Sequence, residues 1–146
     1  MTIRYFRNGN ITNIKDFEKK YSVNIPEDYR EFLEKQNGGI VEKNDQNVIP
    51  VEDISEEITI DVLFGLNTGS AASNVDTWMD KLKDDLLDGA VIIGDDIMQG
   101  LIVMICEGEF SGIYYWDDAY NFEESDDNEN TYWIADDFKS FIKKIN

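Results

Sequence analysis

The sequence predicts an α+β protein in which helices cover an antiparallel β-sheet arranged as a meander. Two patterns favour this fold class: apolar residues recur at helical spacings near both ends of the chain, and strand-like runs between them are separated by short turns. Strands joined by short turns pair antiparallel, because parallel neighbours need long crossover connections. The length of 146 residues is that of one ordinary domain, so we expect a single domain over residues 1–146.

Two short amphipathic helices are predicted near the N-terminus. The first runs from Asn13 to Tyr21, where apolar residues are spaced by three and four. The second has boundary signals at both ends, with Pro26 at its first position, acidic residues in its first turn, and the stop Asn37-Gly38-Gly39. We expect Gly38 or Gly39 to be left-handed and the apolar stripe of this helix to be buried. That stripe consists of Tyr29, Phe32 and Leu33.

The middle of the chain changes to a period of two residues, which indicates strands between Gly39 and Leu66, with Pro50 at an edge or a strand start. A loop of small residues, Asn67 to Ser73, follows. After it a third helix is predicted, because four apolar residues share one helical face before Gly89. These four are Val75, Trp78, Leu82 and Leu86.

The last third of the chain predicts three antiparallel strands, a long loop, a short strand and a helix. The loop runs from Asp117 to Asn130, and Tyr132 to Ile134 form the short strand after it. We expect Asp136 to cap the last helix. The three strands are Ala90 to Gly94, Leu101 to Cys106 and Ile113 to Trp116, and the inward residues of the helix are Phe138, Phe141, Ile142 and Ile145.

The composition excludes several kinds of catalytic site and argues against a membrane protein. The chain has no histidine, so it cannot form a Ser-His-Asp triad, a Cys-His pair or an imidazole zinc site. Its one cysteine, Cys106, lies in an apolar run, which is typical of a core thiol and of a reducing compartment. That run is far shorter than the about 18 to 20 residues that cross a bilayer, and no secretory signal follows Met1. We therefore expect a cytoplasmic protein without a membrane partner or a cofactor.

Charge is distributed unevenly along the chain. There are 31 acidic against 13 basic residues, a formal net charge of -18, and the interval between Lys83 and Lys139 holds 16 acidic residues and no Lys or Arg. Such a surface repels phosphate backbones, so we expect no nucleic-acid partner and instead favour a basic protein partner. The alternative is that the acidity only keeps the protein soluble.

The loop after Trp116 is strongly acidic and also carries aromatic residues. Anionic groups around aromatic anchors suit a basic cleft, so we predict that this loop binds the partner, the alternative being a merely solvated loop. Tyr115 joins this set if its face of the strand is exposed; Tyr114 and Trp116 share the opposite face. The predicted partner-binding residues are Tyr115, Asp117, Asp118, Tyr120, Phe122, Glu123, Glu124, Asp126, Asp127 and Glu129.

Two carboxylate patterns leave an enzyme or a metal site open as an alternative. Asp95 and Asp96 are either paired catalytic carboxylates or the start of a hairpin turn that ends at Gly100, and we adopt the turn. A second pattern matches positions 1, 3, 5 and 12 of an EF-hand loop, but Thr131 stands where the sharp turn requires Gly. We therefore predict no metal site. The residues at those four positions are Asp126, Asn128, Asn130 and Asp137.

Five motifs follow one another along the chain. They are Ile25 to Leu33 with the stop Asn37-Gly38-Gly39, Phe64-Gly65-Leu66, Ile92-Ile93-Gly94-Asp95 through Gly100, Ile113-Tyr114-Tyr115-Trp116-Asp117, and Ile134 to Phe138 through Phe141. Together they resemble the SMI1/KNR4 family, also called the SUKH superfamily, from about Ile14 to Ile145. In the last motif Asp137 stands where Ser is frequent in the family.

The resemblance implies a family fold of the α+β class and a role in binding rather than in catalysis. Members of the family are similar to immunity proteins of bacterial polymorphic toxin systems, which bind a cognate toxin domain, often a nuclease, and block it inside the producing cell. Others are fungal regulators of cell-wall synthesis that act through protein partners. The resemblance thus implies a non-enzymatic immunity protein that occludes the functional surface of a toxin, with a regulatory adaptor as the alternative.

Overall fold

The computed structural model describes residues 3–42 and 48–145. The helices in this part of the chain are α1 (Ile11–Tyr21), α2 (Glu27–Lys35), α3 (Val75–Leu82) and α4 (Phe138–Ile145). The strands are β1 (Ile3–Tyr5), β2 (Gly39–Val41), β3 (Val48–Val51), β4 (Glu56–Leu63), β5 (Ala90–Asp96), β6 (Leu101–Ile105), β7 (Gly112–Trp116) and β8 (Thr131–Ala135). Residues 43–47, within the region predicted to form strands, lie outside the described residues.

The strands form a sheet with the order β1-β2-β4-β5-β6-β7-β8, and β3 pairs with the first half of β4. Every strand pair that the structure describes is antiparallel, and β4 to β8 follow one another as a meander. The predicted α+β class is therefore confirmed. β3 also contacts β8, so residues before and within β4 come close to the segment that precedes β8. This contact decides which acidic residues share a surface.

The first two helices follow the predicted pattern with small changes at their ends. α1 begins at Ile11 because the Asn10 side chain accepts a hydrogen bond from the backbone N–H of Thr12 at 2.8 Å. Pro26 lies just before α2 rather than at its first position. The apolar stripe of α2 is buried as predicted, and Gly38 is left-handed with φ 81°. That conformation ends the turn after α2 and leads the chain into β2.

The last two helices differ from the prediction at one end each. α3 ends at Leu82, and a 3₁₀ turn follows, so Leu86 lies beyond the helix instead of on its apolar face. The N-cap of α4 is Asp137, not Asp136: the Asp137 carboxylate accepts from the backbone N–H of Ser140 at 2.7 Å. Asp136 instead accepts from the indole N–H of Trp133 at 3.1 Å. Asp137 therefore caps the helix as a Ser at this position also would. Asp137 directly precedes Phe138, the first residue of α4, whereas Asp136 lies one residue further away, so the nearer carboxylate is the cap.

The buried apolar side chains form one connected cluster between helices and sheet. Phe138 of α4 packs against Tyr29 and Phe32 of α2, with ring centroids 4.9 and 4.8 Å apart. Cys106 belongs to this cluster, and burial raises the pKa of its thiol to about 12, as expected for a core cysteine. The buried side chain of Asn37 joins distant segments, because it donates to the carbonyl of Leu66 and accepts from the N–H of the same residue, both at 2.8 Å.

Leu33→Ala tests the docking of α2. Leu33 is 1% exposed, so the substitution should lower the free energy of unfolding by about 2 to 5 kcal/mol through lost burial and the cavity left behind. Glu34→Ala, at the next and exposed position of α2, is the matched control and should change stability by less than about 0.5 kcal/mol. Urea denaturation measures both, and equal midpoints for the two variants would contradict the described packing.

Candidate functional site

The strand β7 directs Tyr115 into the protein and its aromatic neighbours to the other face. Tyr115 is fully buried, and its hydroxyl donates to the Asp96 carboxylate at 3.1 Å. Gly100 lies against the same ring, where an added Cβ would be 1.9 Å from the hydroxyl oxygen, so only glycine fits. Tyr115 was predicted to contact a partner only if its face of the strand were exposed, and that face is buried. Its assignment to the contact surface is wrong, because ring and hydroxyl both lie in the core.

Asp117 organises the acidic loop from inside. Its carboxylate accepts from the backbone N–H groups of Asn121 and Phe122 at 2.8 and 2.9 Å, and from the hydroxyl of Ser125 at 2.6 Å. Its own N–H donates to the carbonyl of Asn130 at 2.7 Å, which closes the loop at its far end. The residue is fully buried. Its predicted contact with a partner is therefore wrong, and the carboxylate instead holds the loop backbone in place.

Phe122 attaches the middle of the loop to the core. It is 8% exposed, and its ring centroid lies 5.7 Å from that of Tyr115. The prediction that Phe122 contacts the partner is therefore wrong as well. Tyr120 is 48% exposed and its hydroxyl donates to Asp127 at 2.6 Å, which holds the ring at the surface. The predicted site residues that are exposed are Asp118, Tyr120, Glu123, Glu124, Asp126, Asp127 and Glu129.

The EF-hand-like spacing is explained by a turn and a helix cap. The Asp126 carboxylate accepts from the backbone N–H groups of Asn128 and Glu129, both at 2.8 Å, and these donors lower its pKa because they favour the charged form. Asp137, at the twelfth position of the pattern, caps α4. Over residues 3–42 and 48–145, no group of three or more acidic or cysteine side chains is arranged to hold a metal ion.

Asp96 forms the hairpin turn that was predicted. Its carboxylate accepts from the N–H of Gly100 at 2.8 Å, and its backbone N–H donates to the Gly100 carbonyl at 3.0 Å. Burial raises the pKa of this carboxyl group, and the negative charge of Asp117 adds to the rise. The oxygen Oδ2 has no hydrogen-bond partner among the described residues. The Asp95 carboxylate accepts from the N–H of Val62 at 3.0 Å and so joins β5 to β4, while Asp96 holds the turn that follows β5.

Acidic residues from another part of the chain join the exposed acids of the loop. Asp53 lines a shallow cavity of ≈ 380 Å³ together with residues 128–132. Glu56 lies near Glu124 and Glu123: partial desolvation, and then the negative charges of these two residues, raise its pKa. Sequence spacing could not reveal this neighbourhood, because it arises where β3 and the 3₁₀ turn at Glu52–Ile54 contact β8. We call the combined set the acidic surface: Asp53, Glu56, Asp118, Glu123, Glu124, Asp126, Asp127 and Glu129.

A groove opens on the face of the sheet to which Tyr114 and Trp116 point. Its volume is ≈ 240 Å³, and its lining includes Leu86, Leu87, Val103, Ile105, Tyr114 and Trp116. We call it the open-face groove. Asn130 and Thr131 line both this groove and the cavity beside Asp53, so the groove adjoins the acidic surface. The alternation within β7 placed Tyr114 and Trp116 together, but it could not show that theirs was the open face.

Comparison with protein families matches this chain to a known family. A family model described as SMI1 / KNR4 family (SUKH-1) covers residues 10–144 of the 146-residue chain, a range that includes all five sequence motifs. Comparison with curated proteins and with solved structures finds no match. No helix among the described residues is long and apolar enough to cross a membrane.

Asp117→Ala tests the anchoring of the loop. The change leaves two backbone N–H groups and the Ser125 hydroxyl without their acceptor, so the free energy of unfolding should fall by about 1 to 3 kcal/mol. The amide of Phe122 should also exchange faster with solvent. Asp118→Ala, at the next and exposed position, is the control. Similar stability and exchange in both variants would show that Asp117 does not hold the loop.

The buried carboxyl of Asp96 predicts a pH dependence of stability. Because its folded-state pKa lies above the ordinary 3.8, the folded state binds the proton more tightly than the unfolded chain does. This stabilising contribution is complete below the unfolded pKa and is lost as pH rises through the folded pKa. Asp96→Asn can still accept from Gly100 and Tyr115, and should show a flatter fall in unfolding free energy above pH 3.8. Parallel curves for the two proteins would contradict the assignment; Asp118→Asn is the exposed control.

Proposed function

Because this chain belongs to the SMI1/KNR4 family (SUKH-1), we propose that it is a non-enzymatic immunity protein that binds a cognate toxin domain and occludes its functional surface. The family match over residues 10–144 is the observation that carries this proposal. The carboxylates that left an enzyme or a metal site open in the sequence are also consistent with this proposal. Asp96 holds one turn, Asp126 holds another and Asp137 caps a helix. Each of these carboxylates therefore has a structural role in the fold.

The proposed partner is a basic protein domain. Six of the eight acids of the acidic surface fall in the interval between Lys83 and Lys139, which contains no Lys or Arg, and only Asp53 and Glu56 come from an earlier part of the chain. A toxin that cleaves nucleic acid needs a basic cleft, because it must neutralise phosphates. An acidic protein surface placed over such a cleft would be attracted by the same charges and would keep the substrate out. The compartment that suits this action is the cytoplasm of the cell that makes the toxin.

The exposed loop residues have different roles in the proposed complex. Asp118, Glu123 and Glu124 are exposed charges, which raise the rate of encounter more than they add affinity. Tyr120 is an aromatic anchor whose ring is held outward by its bond to Asp127. Its backbone is left-handed, with φ 53°, a conformation uncommon for a residue other than glycine. Aromatic residues surrounded by charges are frequent hot spots of protein interfaces.

Protection from the toxin tests the proposed function. The proposal predicts that a neighbouring reading frame encodes the toxin domain. Produced together with this protein, that domain should no longer arrest growth, and the purified pair should form a complex. A catalytically inactive toxin domain serves as the binding control. Failure of protection with no complex would contradict the immunity role. A complex with an endogenous protein of another operon, without protection from the toxin, would favour the regulatory adaptor instead.

The role of charge is tested with the triple variant Asp118→Asn, Glu123→Gln, Glu124→Gln. At low salt its association rate constant with the toxin domain should be about tenfold lower than that of the wild type, and its stability nearly unchanged. The wild-type rate should fall as salt rises, since the Debye length shrinks from about 10 Å at 0.1 M to about 3 Å at 1 M, and the variant rate should depend less on salt. Surface plasmon resonance measures both.

A matched control carries the same change of charge on the helices. Asp16→Asn, Glu27→Gln and Glu34→Gln are exposed positions on α1 and α2, away from the loop. This variant should associate at nearly the wild-type rate. If both triple variants slow association equally, net charge alone is responsible, and the acidic surface has no special role.

A further inference from the structure

We propose that the open-face groove binds an apolar side chain which the basic partner presents among its positive charges. This inference rests on the proposed function and describes the recognition more closely, because it adds an affinity-determining pocket to a surface so far argued from charge. The groove lies beside the acidic surface, and Asn130 and Thr131 line the cavities on both sides.

The lining of the groove is suited to an apolar group. Val103 is a buried residue of the lining, and Tyr114 and Trp116 are half-buried along β7. Leu87 is 69% exposed at the groove. Apolar side chains that are open to solvent, beside the polar Asn130 and Thr131, provide a place where an apolar group of a partner can be buried. The volume of ≈ 240 Å³ is below the about 300 to 1,000 Å³ of most small-molecule sites, which favours one large side chain as the occupant.

Charge decides what kind of molecule carries that side chain. The strands β5 to β8, which form this part of the sheet, all fall in the interval between Lys83 and Lys139 that has acidic residues and no basic ones. Asp85 itself lines the groove. A second copy of this chain, with a formal charge of -18, would bring two acidic faces together and be repelled. A basic segment with an apolar residue at its centre meets both the charge and the cavity.

The two surfaces would then divide the work of binding. Exposed acids speed association, whereas a side chain desolvated in a pocket slows dissociation and supplies most of the affinity. The groove therefore explains how an acidic surface could bind one basic partner tightly without binding every basic protein.

Two synthetic peptides test the groove directly. One has the sequence Lys-Arg-Trp-Arg-Lys and the other Lys-Arg-Ala-Arg-Lys, both with blocked ends, so they differ only in the apolar residue. In titrations followed by ¹H–¹⁵N spectra, the tryptophan peptide should bind roughly tenfold more tightly, the ratio expected for burial of a large apolar side chain. It should shift the indole signal of Trp116, which lines the groove, and leave that of Trp78, which does not.

Three variants test whether the preference for the tryptophan peptide depends on the groove. Leu87→Ser should remove most of the preference for the tryptophan peptide, and its high exposure means that the fold should tolerate the change. Ile11→Ser removes another exposed apolar side chain, 39% exposed at the start of α1, and should keep the preference. The triple variant Asp118→Asn, Glu123→Gln, Glu124→Gln should weaken both peptides alike and keep their ratio.

The outcomes separate this inference from the proposed function. Equal affinity for the two peptides, no binding of either, or a preference that survives Leu87→Ser would each overturn the groove as a binding site, whatever the result of the toxin protection experiment. A clear preference that Leu87→Ser removes, combined with no protection from the toxin, would support the groove and contradict the immunity role.

Discussion

The burial of Tyr115 against Asp96 and Gly100 is the contact on which the proposed binding surface depends. Side chains alternate along a strand, so with Tyr115 inside, Tyr114 and Trp116 must lie on the other face, and a shift by one residue would reverse all three. The loop that follows is attached at the same place, since Phe122 packs on the Tyr115 ring. The open-face groove and the acidic surface therefore share one support in the core.

The residues of the family motifs make contacts that hold this framework together, and they do not identify the partner. Asn37, from the stop of α2, binds Leu66, from the motif that ends β4. Gly100 leaves room for Tyr115, and Asp137 caps the last helix. Membership in the family thus accounts for the fold, while the exposed side chains between the motifs are free of these constraints and can differ without disturbing them.

Much of the fold could be predicted because its signals are local. Helical spacing identified the buried stripe of α2, and turn residues identified the hairpin from Asp96 to Gly100. The site was harder, because burial of a strand face and the choice between neighbouring carboxylates depend on what packs from elsewhere in the chain. Asp117 has the same chemistry as Asp118, yet only the first finds backbone donors inside the loop. Glu56 reaches the loop only through the folded sheet.

In the proposed complex the partner covers the acidic surface and the groove together. Amide hydrogen exchange of this protein, alone and with the toxin domain, shows which segments the partner covers. We expect slower exchange on binding in the loop 117–130 and around Leu86 and Leu87, with α1 and α2 unchanged. Protection confined to α1 and α2, with the loop and the groove unaffected, would contradict it.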